Sequence, residues 1–146
     1  MLAIEPQLVD RYVRQGIVRL SFRPVLNHGV RSLRTSEAVV CAGRQDQFWA
    51  MHDLLFARLD ASWQTPESNL AALMTDYAAE LGMDAEAFRA CMASGEALAQ
   101  VQALDAEQRT RGIVAQPTFE LNAVRLVGFQ SFERFQGVIE QLQTGQ

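Results

Sequence analysis

The stretch from residue 112 to residue 122 constrains the fold of this chain more than any other part of the sequence. Gly112 is suited to the position that ends a helix, because glycine readily adopts the left-handed backbone found there. Pro117 then interrupts the chain, and apolar and polar side chains alternate over residues 118–122, which is typical of a strand with one buried face. The sequence therefore predicts a helix, a proline loop and a strand in close succession.

Length and composition exclude several classes of protein. The chain has 146 residues, of which 49% are hydrophobic and 21% are charged, which is ordinary for one folded domain and argues against disorder. We expect no membrane span, because no apolar run reaches the roughly 18 to 20 residues of a spanning helix. The net charge of −4 gives no broad surface for nucleic acid, and we interpret the arginines between residues 11 and 34 as a solvated face.

The two ends of the chain predict a small mixed α/β arrangement. Apolar residues recur at helical spacing over residues 4–15, a helix that Gly16 would end. Residues 17–23 alternate apolar side chains with arginine and serine, which favours a strand at the edge of a sheet. Beyond the proline loop, the sequence predicts two strands and a helix with Ser131 as its N-cap, over residues 118–122, 124–127 and 132–142.

The middle of the chain predicts a run of helices. Stripes of apolar residues indicate three of them, over residues 32–42, 44–60 and 95–111. Thr65 followed by Pro66 predicts the N-cap and first residue of another helix. Asp84 predicts the N-cap of a shorter one.

Taken in this order, the segments resemble the DsbA-like branch of the thioredoxin superfamily, the thiol-disulfide oxidoreductases with a helical insertion. Besides the proline loop, the resemblance depends on residues 12–20, 48–56 and 127–132. It extends over about residues 4–141. It implies a single α/β domain over residues 1–146, with a thioredoxin-like fold and a helical insertion at about residues 32–111.

The family pattern also contains an element that this sequence lacks. In the family a Cys-x-x-Cys pair begins the first helix, directly after the first core strand, whereas this sequence begins partway down that helix and has only Cys41 and Cys91. No residue here therefore takes the catalytic role. The first core strand, which would lie between strands 17–23 and 118–122, is missing as well. The resemblance thus implies an incomplete thioredoxin-like fold.

An unfilled place at the centre of a sheet would leave two rows of backbone N–H and C=O groups unpaired. Three outcomes would avoid this: the chain rearranges, a second chain supplies the strand in a homodimer by strand exchange, or the native product begins upstream. We favour the last outcome, in which Met1 is an internal methionine, a misassigned start or an artificial boundary.

The proline loop is the site element that the resemblance carries over. In the family a cis proline in this loop lies beside the reactive cysteine, and the backbone of the preceding residue pairs with the substrate polypeptide. These positions are Pro117 and Gln116 here. The family often has Thr or Val in place of Gln116, but a backbone contact depends little on the side chain. We therefore expect substrate binding at Gln116 and Pro117.

Cys41 and Cys91 lie on different predicted helices, at a spacing typical of neither a redox Cys-x-x-Cys nor a metal site. In related sequences, cysteines near these positions can form a second, structural disulfide. If the insertion keeps the family's arrangement, the Cα atoms lie within about 7 Å of each other. In a reducing cytosol, two small buried thiols are the alternative.

Other residues are weaker candidates. His28 and His52 are single histidines, which are more often packed or exposed than catalytic. Trp49 and Phe56 could line a peptide groove, although aromatic residues at helical spacing more often belong to a core. We expect neither a metal nor a cofactor.

The resemblance implies a DsbA-like thiol-disulfide oxidoreductase that acts with a polypeptide substrate or a redox partner protein and is inactive as this chain stands. The alternatives are a non-catalytic thioredoxin-like module for peptide binding or oligomerisation, and a degenerate product without function. Members of the family usually act outside the cytoplasm. Residues 1–6, however, lack the basic and apolar stretches of a secretory signal.

Overall fold

The computed structural model describes residues 4–145. They form two compact units: the hairpin unit, residues 4–22 and 113–145, and the helical unit, residues 23–112. The elements are α1 (Glu5–Leu8), α2 (Val30–Gly43), α3 (Phe48–Ala57), α4 (Leu59–Gln64), α5 (Leu70–Glu80), α6 (Ala85–Ser94), α7 (Glu96–Thr110), β1 (Thr118–Leu121), β2 (Val124–Val127) and α8 (Phe132–Thr144). The predicted α/β class with a helical insertion is confirmed. Among the described helices, none is both long enough and apolar enough to cross a membrane.

The helix predicted over residues 4–15 forms with two hydrogen-bond patterns. α1 is a single α-helical turn, and the chain continues as a π-helical turn over Val9–Val13. The Arg14 N–H donates to the carbonyl of Val9 at 2.9 Å. The helical path ends at Gly16, whose φ of 73° lies in the left-handed region that favours glycine.

β1 and β2 form an antiparallel hairpin with a turn of two residues. Asn122 in this turn has a φ of 52°, which asparagine tolerates better than most residues. The register places Phe119 opposite Leu126, and these side chains pack against α8. The predicted hairpin is therefore confirmed. The predicted cap of α8 is confirmed too, since Ser131 Oγ accepts a hydrogen bond from the Arg134 N–H at 3.3 Å.

The strand predicted over residues 17–23 is wrong. Residues 17–23 form neither helix nor strand, the N–H groups of Ile17 and Val18 donate to the carbonyl of Tyr12, and the sheet of the described residues consists of β1 and β2. The alternation of the sequence nevertheless appears in the burial, because side chains 18, 20 and 22 are half-buried and side chains 19, 21 and 23 are exposed. A strand needs a neighbour for its backbone groups.

α2 is the central helix of the helical unit and packs against α3, α5, α6 and α7. Its inner face carries Ala38 and Ala42, which are fully buried, and side chains this small let the neighbouring helices approach closely. Met51, Met74 and Phe88, from three surrounding helices, fill the core and are fully buried as well. Burial of these apolar side chains is the main stabilising contribution in this unit.

The helix predicted over residues 44–60 is shorter in the structure. α3 begins only at Phe48, and it ends at Ala57 because the backbone of Arg58, with φ −112° and ψ 33°, leaves helical geometry before α4 begins. The cap of α6 is confirmed, since Asp84 Oδ1 accepts hydrogen bonds from the N–H groups of Glu86 and Ala87 at 2.9 and 3.0 Å.

The predicted helix start at Thr65 and Pro66 is wrong. Thr65 follows the last residue of α4, and its hydroxyl donates to the carbonyl of Ala61 at 2.8 Å. Its hydroxyl is therefore engaged with the preceding helix. Pro66 precedes a short 3-10 turn, and α5 begins only at Leu70.

A disulfide joins α2 to α6 inside the helical unit. The Sγ atoms of Cys41 and Cys91 are 2.06 Å apart, and the two Cα atoms are separated by 5.8 Å. Both residues are buried among the apolar side chains of the core. The bridge is therefore an internal link between two packed helices.

α7 holds the loop that leads into α2. The Leu26 N–H donates to Oδ1 of Asp105 at 2.8 Å, and Arg109 Nε donates to its Oδ2 at 2.8 Å. Arg109 also donates to Oδ1 of Asn27 at 3.2 Å. Burial raises the pKa of Asp105, but the hydrogen bonds from Arg109 and Leu26 and the positive charge of Arg109 together lower it by more. The pKa of Asp105 therefore lies below its ordinary value.

We expect Asp105→Asn to lower the free energy of unfolding at neutral pH by about 1–2 kcal/mol, since it removes a charged acceptor of two hydrogen bonds. Because the folded-state pKa is depressed, this stabilisation is fully present above the ordinary aspartate value of about 3.9 and is lost as the pH falls through the folded-state value. Urea unfolding of both proteins between about pH 7 and about pH 3 measures the difference.

Glu107→Gln is the matched control, because it removes an exposed carboxylate of the same helix that pairs with Arg23 at 3.1 Å. Its effect should stay below about 1 kcal/mol. A loss of stability in Asp105→Asn that does not change with pH would contradict the assignment.

We expect Cys41→Ala/Cys91→Ala to lower the free energy of unfolding of the helical unit by about 2–4 kcal/mol. The disulfide links two residues that are 50 positions apart in the sequence. Because it closes a loop of that length, it considerably reduces the conformational freedom of the unfolded chain. Far-UV circular dichroism during urea unfolding gives the value. Wild type in reductant should lose the same stability, and the double variant should not respond to reductant. Identical unfolding of oxidised and reduced wild type would contradict the prediction.

Candidate functional site

The candidate site of the hairpin unit is the loop at residues 115–117, directly before β1. Gln116 and Pro117 are both exposed, and the peptide bond between them is cis. The carbonyl of Pro117 accepts a hydrogen bond from the Gly128 N–H at 2.8 Å. This bond adds one pair to the ladder beyond the last pair of the register. The loop is therefore joined to the end of β2.

Further hydrogen bonds hold both sides of this loop. Thr118 Oγ1 donates to the carbonyl of Ala115 at 2.7 Å. On the other strand, Gln130 Nε2 donates to the carbonyl of Val127 at 3.0 Å. Gly128 has a φ of 83°, a conformation that favours glycine. Together these contacts hold the base of the hairpin, so the loop presents its backbone from a defined position.

Three apolar side chains on either side of the loop are exposed. Val114, Val127 and Phe129 have exposed fractions of 56%, 57% and 77%. Val127 is paired with Thr118, and Phe129 follows the glycine that bonds to Pro117. Exposed apolar groups at the end of a hairpin are typical of surfaces that bind polypeptide.

The loop has no group that exchanges disulfides. That chemistry needs a thiolate, and the two cysteines of the chain are joined to each other in the helical unit. Neither cysteine therefore has a free thiol.

The histidines that the sequence offered as weak candidates lie in aromatic surroundings. His52 is 2% exposed, and its Nδ1 lies 3.1 Å from Oδ1 of Asp53. Its ring lies 5.2 Å from that of Trp49 and 4.8 Å from that of Phe56, centroid to centroid. His28 is exposed, as the sequence allowed, and has an aromatic neighbour of its own.

Sequence reasoning missed the charged groups that hold α2. Glu37 is fully buried, and Arg34, one turn earlier, donates to its Oε2 at 2.7 Å. Arg31 donates to the carbonyls of Ser62 and Thr65 and so links α2 to the end of α4. The spacing of Arg34 and Glu37 was the available signal, but such pairs are usually exposed, and spacing does not reveal burial.

Comparison with known proteins adds one finding to this geometry. The family model described as Thioredoxin matches residues 2–141. No curated protein and no solved structure matches the chain. Because the family match covers nearly the whole sequence and the hairpin unit carries an exposed proline loop before its hairpin, the chain belongs to the thioredoxin family.

Proposed function

We propose that this protein takes part in DsbA-like thiol-disulfide exchange by binding a polypeptide at the loop of Gln116 and Pro117. The observation that carries the proposal is the exposed loop fixed to β2 by the hydrogen bond from the Gly128 N–H to the Pro117 carbonyl. Membership of the thioredoxin family supports it. The backbone at Gln116 would pair with an extended segment of the bound polypeptide, and Phe129 would contact its apolar side chains.

The chemistry limits what the chain does on its own. In disulfide exchange a thiolate attacks one sulfur of a disulfide, a mixed disulfide forms, and the other sulfur leaves as a thiolate. Cys41 and Cys91 are bonded to each other and buried, so neither offers that thiolate. We therefore propose that the 146-residue chain binds and orients a polypeptide without exchanging its disulfides.

A non-catalytic peptide-binding module is the second candidate. The bridge between Cys41 and Cys91 favours it, since a structural disulfide leaves no thiol for exchange. The two candidates differ in ligand preference. A protein that takes part in disulfide exchange should bind a peptide that contains a cystine more tightly than the same peptide with alanine in place of cysteine. A non-catalytic peptide-binding module should bind both peptides with equal affinity.

We also propose a homodimer in which the copies exchange strands in the hairpin unit. The sheet of the described residues has two strands, and residues 17–23 belong to neither of them. A sheet of two strands is only marginally stable by itself. A strand from a second copy would supply the missing ladder under two-fold symmetry.

We expect the purified chain to bind a reduced and alkylated unfolded polypeptide while showing no insulin reduction above background. Pro117→Ala should weaken this binding roughly 5- to 30-fold, because alanine leaves the backbone of the loop freer, and fixing about one residue on binding costs about 1–2 kcal/mol. Isothermal titration calorimetry measures the affinity, and a turbidity assay with dithiol measures the reduction.

Pro66→Ala is the matched control, because Pro66 is an exposed proline in the helical unit. It should bind as wild type does. Unchanged affinity in Pro117→Ala, with a circular dichroism spectrum like that of wild type, would rule out the loop as the binding site. Turnover that is lost in Cys41→Ala would refute the statement that the chain does not exchange disulfides.

We expect amides at residues 19–21 to exchange with solvent faster than amides in α3 when the protein is monomeric. Residues 17 and 18 are left out because their N–H groups donate to the carbonyl of Tyr12 at 2.9 and 3.1 Å. If the copies exchange strands, protection of the amides at residues 19–21 should rise with protein concentration. The average mass from light scattering should rise from monomer to dimer over the same range of concentration. Strong protection of both regions in a proven monomer would contradict the dimer.

A further inference from the structure

A groove between α2, α5 and α6 is lined by charged side chains and by apolar ones. The three helices pack against one another in pairs, and the groove has a volume of about 480 Å³. It is lined by Arg34 of α2, by Ala71, Ala72, Thr75 and Asp76 of α5, and by Arg89, Met92 and Ala93 of α6. This volume lies within the range of roughly 300–1,000 Å³ that is typical of sites for small molecules.

The apolar part of the lining comes from α5 and α6. Met92 belongs to the core of the helical unit and is 7% exposed. The other apolar residues of the lining are exposed alanines, at positions 71, 72 and 93. Because alanine side chains are short, they leave space between the two helices that longer side chains would fill. The groove therefore has room for an apolar chain.

A fully buried carboxylate fixes one of the two arginines of the groove. Glu37 has no exposed surface, and its Oε2 accepts a hydrogen bond from Nη1 of Arg34 at 2.7 Å. Among the described residues, Oε1 of Glu37 has no hydrogen-bond partner. A buried ion pair adds little to stability, because removing both charges from water is costly. The consequence of this pair is that it holds the half-buried Arg34 side chain at the wall of the groove.

The second arginine of the groove has no protein partner. Arg89 is exposed, and within the part of the chain that the structure describes it forms neither a hydrogen bond nor an ion pair. The hydroxyl of Thr75 donates to the Ala71 carbonyl at 2.9 Å. The donors that the groove can offer to a ligand are therefore the N–H groups of Arg89 and those of Arg34 that Glu37 does not use.

We propose that this groove binds an aliphatic carboxylate of medium chain length. The ligand's carboxylate accepts hydrogen bonds from Arg34 and Arg89, whose planar guanidinium groups match its two oxygens. Its aliphatic chain covers Met92 and the alanines of the lining. Asp76, on the α5 side, repels the ligand's carboxylate and so favours its place beside the arginines of α2 and α6. The site lies within the helical unit and does not depend on the function proposed for the proline loop.

The test uses the intact chain and octanoate, at concentrations below those at which octanoate forms micelles. Isothermal titration calorimetry should show saturable binding. Octanol and octylamine, which keep the aliphatic chain and lack the carboxylate, should bind more weakly by at least roughly tenfold. Inorganic phosphate, which has the charge and lacks the chain, should not displace octanoate.

Single variants locate the site. Arg89→Gln should weaken octanoate binding roughly tenfold, whereas Arg23→Gln, which removes an exposed arginine outside the lining, should leave the affinity unchanged. Ala72→Leu should weaken binding because the longer side chain occupies the groove. Asp76→Asn should strengthen it, because a repulsive charge is removed. Circular dichroism should show the same helix content in each variant.

Arg34 needs a double variant, because its removal alone would leave the buried Glu37 carboxylate without a counter-charge and destabilise the fold. Arg34→Gln/Glu37→Gln removes both charges and keeps polar side chains at both positions. It should weaken octanoate binding to a similar extent as Arg89→Gln. An affinity like that of wild type in this double variant, with the helices intact, would remove Arg34 from the site.

Four further outcomes would overturn the proposal. Equal affinity for octanoate and octanol, or equal effects of Arg89→Gln and Arg23→Gln, would remove the role of the arginines of the groove. Unchanged binding in Ala72→Leu would place octanoate elsewhere on the protein. Displacement of octanoate by phosphate would show that the apolar lining plays no part. Weaker binding in Asp76→Asn would contradict the orientation of the carboxylate.

Discussion

Backbone groups of an extended segment must find partners on a neighbouring strand, and this requirement determines how much of the hairpin unit becomes sheet. β1 and β2 satisfy it for one another, and the pair formed by Pro117 and Gly128 extends the ladder to the proline loop. Residues 18–22 have the alternating burial of a strand without strand pairing. The candidate site therefore lies where the ladder is complete, at the end of the hairpin that α8 supports.

The helical unit does not face this constraint, because helices satisfy their own backbone groups. Its order comes from side chains instead. Alanines at 38 and 42 let four helices approach α2, the disulfide links α2 to α6, and the Asp105 carboxylate anchors the loop that enters α2. The result is one core to which α2, α3, α5, α6 and α7 all contribute buried side chains.

The proposed binding surface of the hairpin unit combines backbone and apolar side chains. The hydrogen bond from the Gly128 N–H joins the loop of Gln116 and Pro117 to β2, and Val114, Val127 and Phe129 are exposed on either side of it. The two cysteines of the chain are bonded to each other inside the helical unit. The thioredoxin family membership of this chain is therefore expressed in its fold and its proline loop.

Local patterns in the sequence were sufficient where the physical cause was local. The N-caps at Asp84 and Ser131, the hairpin with its turn at Asn122 and the position of the proline loop all follow from neighbouring residues, and the structure has each of them. Tertiary structure decided what depends on distant partners. The alternating residues 17–23 could not become a strand by themselves, the hydroxyl of Thr65 bonded back to α4 instead of opening α5, and the burial of Glu37 came from packing that spacing does not encode. Caps and turns are contacts within a few residues, whereas strand pairing and burial require groups that only the folded chain brings together.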